Sequence, residues 1–150
     1  MDRKIKGFTL IELLIVIGIM AILLAIAIPA FSKWVKKYNI EGDTEKIYSF
    51  LQEARAKAFA EKINLDAILT ANQLCIRCDA NDTACINLYG NGDIKCVQLK
   101  YAFEGNNINI SKRGTMSGGP VYYGDTNEAK YDCIRISDIR IKMEKCNGNP

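Results

Sequence analysis

The chain has 150 residues, 49% of them hydrophobic, and a formal net charge of +3. This length allows one modest domain with a tail but not two full hydrophobic cores. Most of the net positive charge lies in residues 1–7, where three cations stand against Asp2, so the composition gives no argument for nucleic-acid binding. The chain has no histidine, which removes the commonest general base and metal ligand. We therefore expect no enzyme, no resident cofactor and no small-molecule substrate.

The first predicted element is a long apolar helix. Residues 13–31 include no charged side chain, and at about 1.5 Å per residue they match the ~30 Å hydrocarbon core of a bilayer. The cations of residues 1–7 predict a cytoplasmic N-terminus, with the rest of the chain outside. A secretory signal peptide is the alternative interpretation, since Ala25, Ala27 and Ala30 imitate a cleavage site.

Glu12 is the one carboxylate near the start of this helix. A carboxylate costs roughly 2.5–3.5 kcal/mol at the centre of a membrane helix and less near its end, so such a residue usually has a partner. Cleavage after Gly7 would expose the α-amine of Phe8. We expect the amine of one subunit to neutralise Glu12 of its neighbour and so to set the axial register of two helices. Snorkelling of a lone carboxylate to the membrane surface is the alternative.

Residues 6–12, Lys-Gly-Phe-Thr-Leu-Ile-Glu, with the apolar run behind them, resemble the class III signal of type IV pilins and type II secretion pseudopilins. The resemblance implies a leader that a membrane prepilin peptidase removes after Gly7, and methylation of the new N-terminus at Phe8. It implies that Glu12 pairs with a neighbouring N-terminus and that the helix kinks at Pro29, which lacks a backbone N–H. It also implies a single-pass protein of the bacterial inner membrane, with its head in the periplasm or outside the cell, that becomes part of an extracellular filament.

Helical periodicity continues beyond the apolar segment. An apolar stripe recurs there at i, i+3, i+4 and i+7 spacing, with Lys and Glu on the opposite face. The stripe comprises Ile47, Phe50, Leu51, Ala54 and Ala58. The sequence Glu41-Gly42-Asp43 interrupts the pattern, and Asp43 is able to cap a new helical start. We therefore expect one long helix over residues 8–62, bent or broken near Gly42.

Short alternating runs bounded by Asn, Asp and Gly follow residue 64 and predict β-strands. The expected strands cover residues 65–70, 74–77, 85–89, 95–103, 108–111, 121–123, 131–137 and 139–144. Asn91-Gly92 is a favourable turn between two of them.

These elements predict an α+β, pilin-like fold, in which the second half of a long helix packs on a small antiparallel β head. The expected organisation is a leader over residues 1–7 and a transmembrane, filament-core helix over 8–31. An amphipathic continuation follows over residues 32–63, and a β-rich head with six cysteines over 64–150.

The branch of the superfamily is indicated by residues 50–58, Phe-Leu-Gln-Glu-Ala-Arg-Ala-Lys-Ala. They resemble the helix segment of the form L-x-x-A-R-x-x-A in H-type minor pseudopilins and related minor pilins, where it also leads directly into a β head. This similarity favours a minor subunit.

An even number of cysteines lies in the predicted head. They are Cys75, Cys78, Cys85, Cys96, Cys133 and Cys146. Outside the inner membrane, disulfides persist, and up to three bridges are expected, each worth about 2–4 kcal/mol. Cys133 with Cys146 is the expected closure of a C-terminal hairpin, and the other pairings stay open.

A zinc site is the alternative use of Cys75-x-x-Cys78 with Cys85 and Cys96, although the spacing differs from the common paired arrangement. A redox motif at Cys75-x-x-Cys78 is a further alternative, but no βαβ pattern surrounds it.

The resemblance implies a structural subunit of a type IV pilus or a type II secretion pseudopilus. Its implied partners are other pilin-like subunits, the prepilin peptidase, the inner membrane and the assembly platform. A major pilin and a DNA-binding tip subunit are the alternatives. The candidate DNA-binding residues are Lys112, Arg113, Arg135, Arg140, Lys142 and Lys145. They alternate with Asp132, Asp138 and Glu144, which favours a solvated mixed-charge face.

Overall fold

The structure is a computed structural model that describes residues 8–70, 72–125, 128–146 and 148. The predicted leader, including Gly7, lies outside the described residues. Contacts within the chain divide it into two compact units, the first ending at Lys36 and the second beginning at Lys37. The first unit holds the N-terminal part of one long helix. The second holds the remainder of that helix and the β head.

In the first unit, helix α1 (Leu10–Glu61) contains the apolar segment without interruption. By length and composition alone it is suited to crossing a membrane. Pro29 lies inside the helix, and Ser32 Oγ donates a 2.9 Å hydrogen bond to Pro29 O. The kink expected at Pro29 stays a prediction, since an unbroken helix is compatible with a bend at proline.

In the second unit, α1 continues through Gly42, so a break at this residue is wrong, while the alternative of a bend there stays a prediction. Glycine lowers helix stability by about 1 kcal/mol relative to alanine, which packing readily outweighs. Asp43 caps no new start. Its carboxylate is fully buried and accepts hydrogen bonds from the backbone N–H groups of Lys100 and Tyr101, at 2.6 and 3.1 Å.

The predicted apolar stripe of α1 is confirmed, because all five of its residues are buried. Ile40 extends the stripe by two turns toward the N-terminus and is also fully buried. The stripe packs in one hydrophobic core with inward-facing residues of the β head, among them Leu65, Leu74 and Ile108.

Within its described residues, the head contains two antiparallel sheets and one short helix. The first sheet has the strand order β3-β2-β1-β5-β6 and the second β4-β7-β8-β9. The strands are β1 (Leu65–Thr70), β2 (Gln73–Cys78), β3 (Asp93–Gln98), β4 (Glu104–Gly105), β5 (Ile108–Ile110), β6 (Met116–Ser117), β7 (Val121–Tyr122), β8 (Cys133–Ile136) and β9 (Ile141–Glu144). Helix α2 (Thr83–Tyr89) lies between β2 and β3 in the chain. The α+β, pilin-like arrangement is therefore confirmed.

One expected strand is wrong, since residues 83–89 form helix α2 instead. Asp82 is its N-cap, and its side chain accepts a 3.0 Å hydrogen bond from Cys85 N. Asn91-Gly92 consequently connects a helix to a strand and is no hairpin turn between strands.

The strand expected over residues 95–103 ends at Gln98. Leu99 N donates to Asn72 O at 2.8 Å, and the next two backbone N–H groups donate to Asp43. These three groups are therefore unavailable to a ladder with a neighbouring strand. The two-residue strands β4 and β6 lie outside all expected strands, whereas β7, equally short, lies within the strand expected over residues 121–123.

Candidate functional site

The start of helix α1 is fixed by a hydroxyl. Thr9 Oγ1 accepts a 3.3 Å hydrogen bond from Glu12 N, and Thr9 O accepts one of 3.2 Å from Leu13 N. A threonine before the helix with a glutamate at the third helical position is the pattern of a capping box. Thr9 is not among the predicted site residues, although the Thr-x-x-Glu spacing is a readable signal for it.

Glu12 itself lies in the first turn of α1, where a negative charge is favoured by the helix dipole. The residue is exposed, and within the described part of the chain its carboxylate makes no ion pair. Phe8, the predicted new N-terminus, is 77% exposed. Both residues of the predicted assembly contact are thus exposed.

The apolar side chains of the first unit are exposed on every side of the helix. Every residue from 8 to 34 is exposed, including the leucines, isoleucines and valine of the apolar run. Burying one such side chain is worth about 1.5–3 kcal/mol, and a helix that is apolar all round belongs inside a protein assembly or a membrane. An exposed apolar surface of this extent is typical of a helix that a membrane or another protein covers.

In the second unit, polar side chains of α1 hold two loops of the head. Glu41 Oε1 accepts a 2.6 Å hydrogen bond from Lys130 N, and Thr44 Oγ1 donates to Ile40 O at 2.9 Å. Asp43 binds the 100–101 backbone and forms a 2.9 Å ion pair with Lys46. The residues that the sequence indicated as a helix break are therefore those that attach the loops.

Arg55, further along helix α1, also attaches the helix to loops of the head. Its Nε donates a 2.6 Å hydrogen bond to Gly114 O, and its Nη1 donates one of 3.0 Å to Ile139 O. Arg55 belongs to the segment that resembles H-type minor pseudopilins, and in this structure it connects α1 to a turn from each sheet.

A trio of polar groups joins α1 to α2. Tyr89 OH donates to Glu61 Oε2 and accepts from Lys57 Nζ, both at 2.8 Å. These contacts lower the pKa of the Glu61 carboxyl and raise that of the Lys57 ammonium, with the Tyr89 hydrogen bond as the largest cause in each case. The three side chains lie at the protein surface, and their hydrogen bonds fix the orientation of α2 relative to this end of α1.

All six cysteines form disulfides in the head: Cys75–Cys96, Cys78–Cys85 and Cys133–Cys146. The last pair is the one that the sequence analysis expected. The four cysteines considered for zinc are divided between the first two bridges, so none of them offers a thiolate to a metal. The clusters that combine bridged cysteines with Asp93 or Glu144 lack thiolates for the same reason.

The six candidate DNA-binding residues do not form one uncompensated surface. Arg135 pairs with Glu144, and Lys145 lies 3.0 Å from Asp132, whose side chain is buried. Lys112 and Arg113 lie in the turn before β6, apart in the chain from the β8–β9 hairpin. The ion pairs favour the mixed-charge interpretation of this face.

Comparison with known proteins yields matches at the N-terminus. The family described as "Prokaryotic N-terminal methylation motif" matches residues 2–28. "Prepilin peptidase-dependent protein D" of Escherichia coli (strain K12) is 60% identical over 37 residues. The matched segment covers 25% of this chain and 25% of that protein. No solved structure shows a significant match to the chain.

Proposed function

We propose that this member of the type IV pilin and pseudopilin superfamily is a minor structural subunit of a type IV pilus or a type II secretion pseudopilus. It is inserted in the bacterial inner membrane by the first part of α1 and joins a filament through the same segment. The methylation motif and the identity to the prepilin peptidase-dependent protein support the superfamily. The subunit has a structural role and performs no catalysis.

The observation that carries the proposal is the fully exposed apolar part of α1. A bilayer satisfies this surface before assembly, and the equivalent helices of neighbouring subunits satisfy it afterwards. The disulfide-bonded head, in contrast, has its own core. One segment thus serves in turn as an anchor and as a packing surface.

Processing creates the second half of the assembly contact. Cleavage after Gly7 releases the α-amine of Phe8, and methylation leaves it positively charged. This amine pairs with Glu12 of the neighbouring subunit, so that two opposite charges compensate each other in the apolar interior of the filament. Because apolar packing tolerates sliding, the charge pair fixes which turn of one helix lies beside which turn of the next.

Replacement of Glu12 tests this role. Glu12→Ala and Glu12→Gln should be inserted and processed normally, because neither alters the cleavage site. Both should weaken incorporation into filaments by roughly ten- to a hundredfold per contact, since hydrogen bonds to charged groups are worth about 1.5–3 kcal/mol. Incorporation is measured as the fraction of the subunit in sheared filaments or in cross-linked complexes with other subunits.

Thr9→Ala is the matched control, because it removes the helix cap without altering the charge of Glu12. Filament incorporation of Thr9→Ala should remain near that of the wild type. Normal incorporation of Glu12→Gln would overturn the charge-pairing role. A wild-type protein whose N-terminal peptide retains Gly7, or lacks a methylated Phe8, would overturn the assignment as a processed subunit.

A further inference from the structure

The loop between β2 and α2 contains an acceptor sequence for N-linked glycosylation. Asn81-Asp82-Thr83 has the form Asn-x-Ser/Thr with x other than proline, which marks a glycosylation acceptor when it lies in a surface loop of an exported protein.

The structure places Asn81 at the tip of an exposed turn. Asp82 N donates a 3.0 Å hydrogen bond to Asp79 O, which closes a turn over residues 79–82. The Asp79 carboxylate accepts hydrogen bonds from Asn81 N at 2.8 Å and from Asn81 Nδ2 at 3.2 Å. Asn81 and Thr83 are both exposed, so the motif lies at the surface of the head.

The turn is held from both ends. The Cys78–Cys85 bridge closes a small loop that contains the whole motif. Asp82 accepts hydrogen bonds from Asn64 N at 2.6 Å and from Cys85 N at 3.0 Å, and these bonds lower the pKa of its carboxyl. An attached sugar would therefore project from a fixed point on the head and displace no core residue.

The chain contains a second sequence of this form, and the structure gives it a different setting. Asn109-Ile110-Ser111 begins inside β5, where Asn109 pairs with Asp66 of β1 on one side and Ser117 of β6 on the other. The Ser111 hydroxyl lies 2.8 Å from Thr115 Oγ1 and accepts from Arg113 N. A strand with neighbours on both sides cannot enter an enzyme's acceptor groove without unfolding the sheet.

We propose that Asn81 is an N-glycosylation site that is modified outside the inner membrane. The donor is an oligosaccharide linked to a polyprenyl diphosphate, and the transfer is catalysed by a membrane oligosaccharyltransferase. Asn81 Nδ2 forms a bond to the anomeric carbon of the first sugar while the bond from that carbon to the diphosphate oxygen breaks. The lipid diphosphate leaves with the bonding pair, and Nδ2 loses one proton to a base of the enzyme. The proposal rests on the proposed function, since it needs the head on the outer side.

Peptide mass spectrometry of the full-length protein, purified from membranes of its own host, tests the proposal. Trypsin separates the two motifs, because cleavage after Arg77, Lys95, Lys100 and Lys112 places Asn81 in peptide 78–95 and Asn109 in peptide 101–112. We expect peptide 78–95 to carry a glycan mass on Asn81 and peptide 101–112 to carry none. An unmodified peptide 78–95, or a glycan confined to peptide 101–112, would overturn the proposal.

Variants separate the motif from its surroundings. Asn81→Gln and Thr83→Ala should lose the mass shift, Thr83→Ser should retain it, and Asn109→Gln should leave it unchanged. The N-terminal peptide from the same digest reports leader removal independently. If the leader is removed and the protein is bound to the membrane but Asn81 carries no glycan, only the glycosylation proposal is refuted. An unprocessed protein refutes the proposed function.

Discussion

The two parts of helix α1 differ in what covers their apolar side chains. In residues 10–34 the apolar groups are exposed all round, whereas in residues 40–61 they form a narrow stripe that the β head buries completely. The same secondary structure thus has two sources of stability. The second part is stabilised by packing against its own chain, whereas the apolar side chains of the first part remain exposed.

The largest expected effect that distinguishes the two parts is a leucine truncation. Leu51 is 0% exposed and Leu23 is 62% exposed. Leu51→Ala should lower the free energy of unfolding of the head by about 2–5 kcal/mol through lost burial and a cavity. Leu23→Ala should leave it unchanged. Urea unfolding of the full-length protein in detergent, followed by near-ultraviolet circular dichroism of the head tyrosines, measures both. Equal losses in the two variants would contradict the comparison.

A smaller loss is expected when the attachment of the 100–101 loop is removed. Asp43→Ala leaves two backbone N–H groups without their acceptor, which should cost about 2–4 kcal/mol in the same unfolding experiment. Asp43→Asn keeps one acceptor oxygen and should cost less. Glu45→Ala, at an exposed position two residues further along the helix, is the control and should have little effect. A harmless Asp43→Ala variant would show that the loop is held by other contacts.

Glycine replacement compares the two parts at equivalent positions inside the helix. An added Cβ at Gly42 or Gly18 meets nothing within 4 Å. Gly42→Ala should therefore stabilise the head by about 0.5–1 kcal/mol, through a smaller loss of backbone entropy on folding. Gly18→Ala should not change the unfolding of the head. A destabilised Gly42→Ala variant would indicate a break in the helix at this residue.

The smallest effect concerns pH and one carboxyl of the head. Burial, and secondarily Asp79, raises the pKa of Asp66, whose Oδ1 is buried without a hydrogen-bond partner among the described residues, while Arg77 lowers it. A raised folded-state pKa means that ionised Asp66 costs stability at neutral pH. Asp66→Asn should thus raise the urea midpoint at neutral pH. The gain should fade as the pH falls through the folded-state pKa toward 3.8, the ordinary aspartate value. If the higher urea midpoint of Asp66→Asn persisted in acid, the raised pKa of Asp66 would be excluded as its cause.

The sequence predicted the features that depend on local pattern. The apolar run, the buried stripe from Ile47 to Ala58 and the first hairpin, in which Leu65 lies opposite Cys78, follow from periodicities of 3.6 and 2. The motif around Phe8 and Glu12 was recognisable because it is contiguous. The N-terminal motif, helix α1 and the presence of a β head can therefore be predicted from the sequence alone.

The features that failed depend on contacts distant in the chain. Asp43 binds Lys100 and Tyr101, 57 and 58 residues away, and nothing near Gly42 reveals these partners. A strand was expected over residues 85–89 from an alternating run bounded by Asn, Asp and Gly, whereas helix α2 covers these residues, with Asp82 as its N-cap and with Cys85 bridged to Cys78. The capping role of Thr9 was readable and was overlooked, because Glu12 was considered for assembly alone.

The arrangement of bridges has a consequence for the oxidation of the cysteines as the chain folds. Cys75 and Cys78 are the first two cysteines to emerge and are only three residues apart, yet they are not partners. Residues at positions i and i+3 of a strand point to opposite faces, so formation of β2 directs one thiol toward Cys96 and the other toward Cys85. The alternation of side chains along β2 therefore disfavours a Cys75–Cys78 bridge, because it places these two closely spaced thiols on opposite faces of the strand.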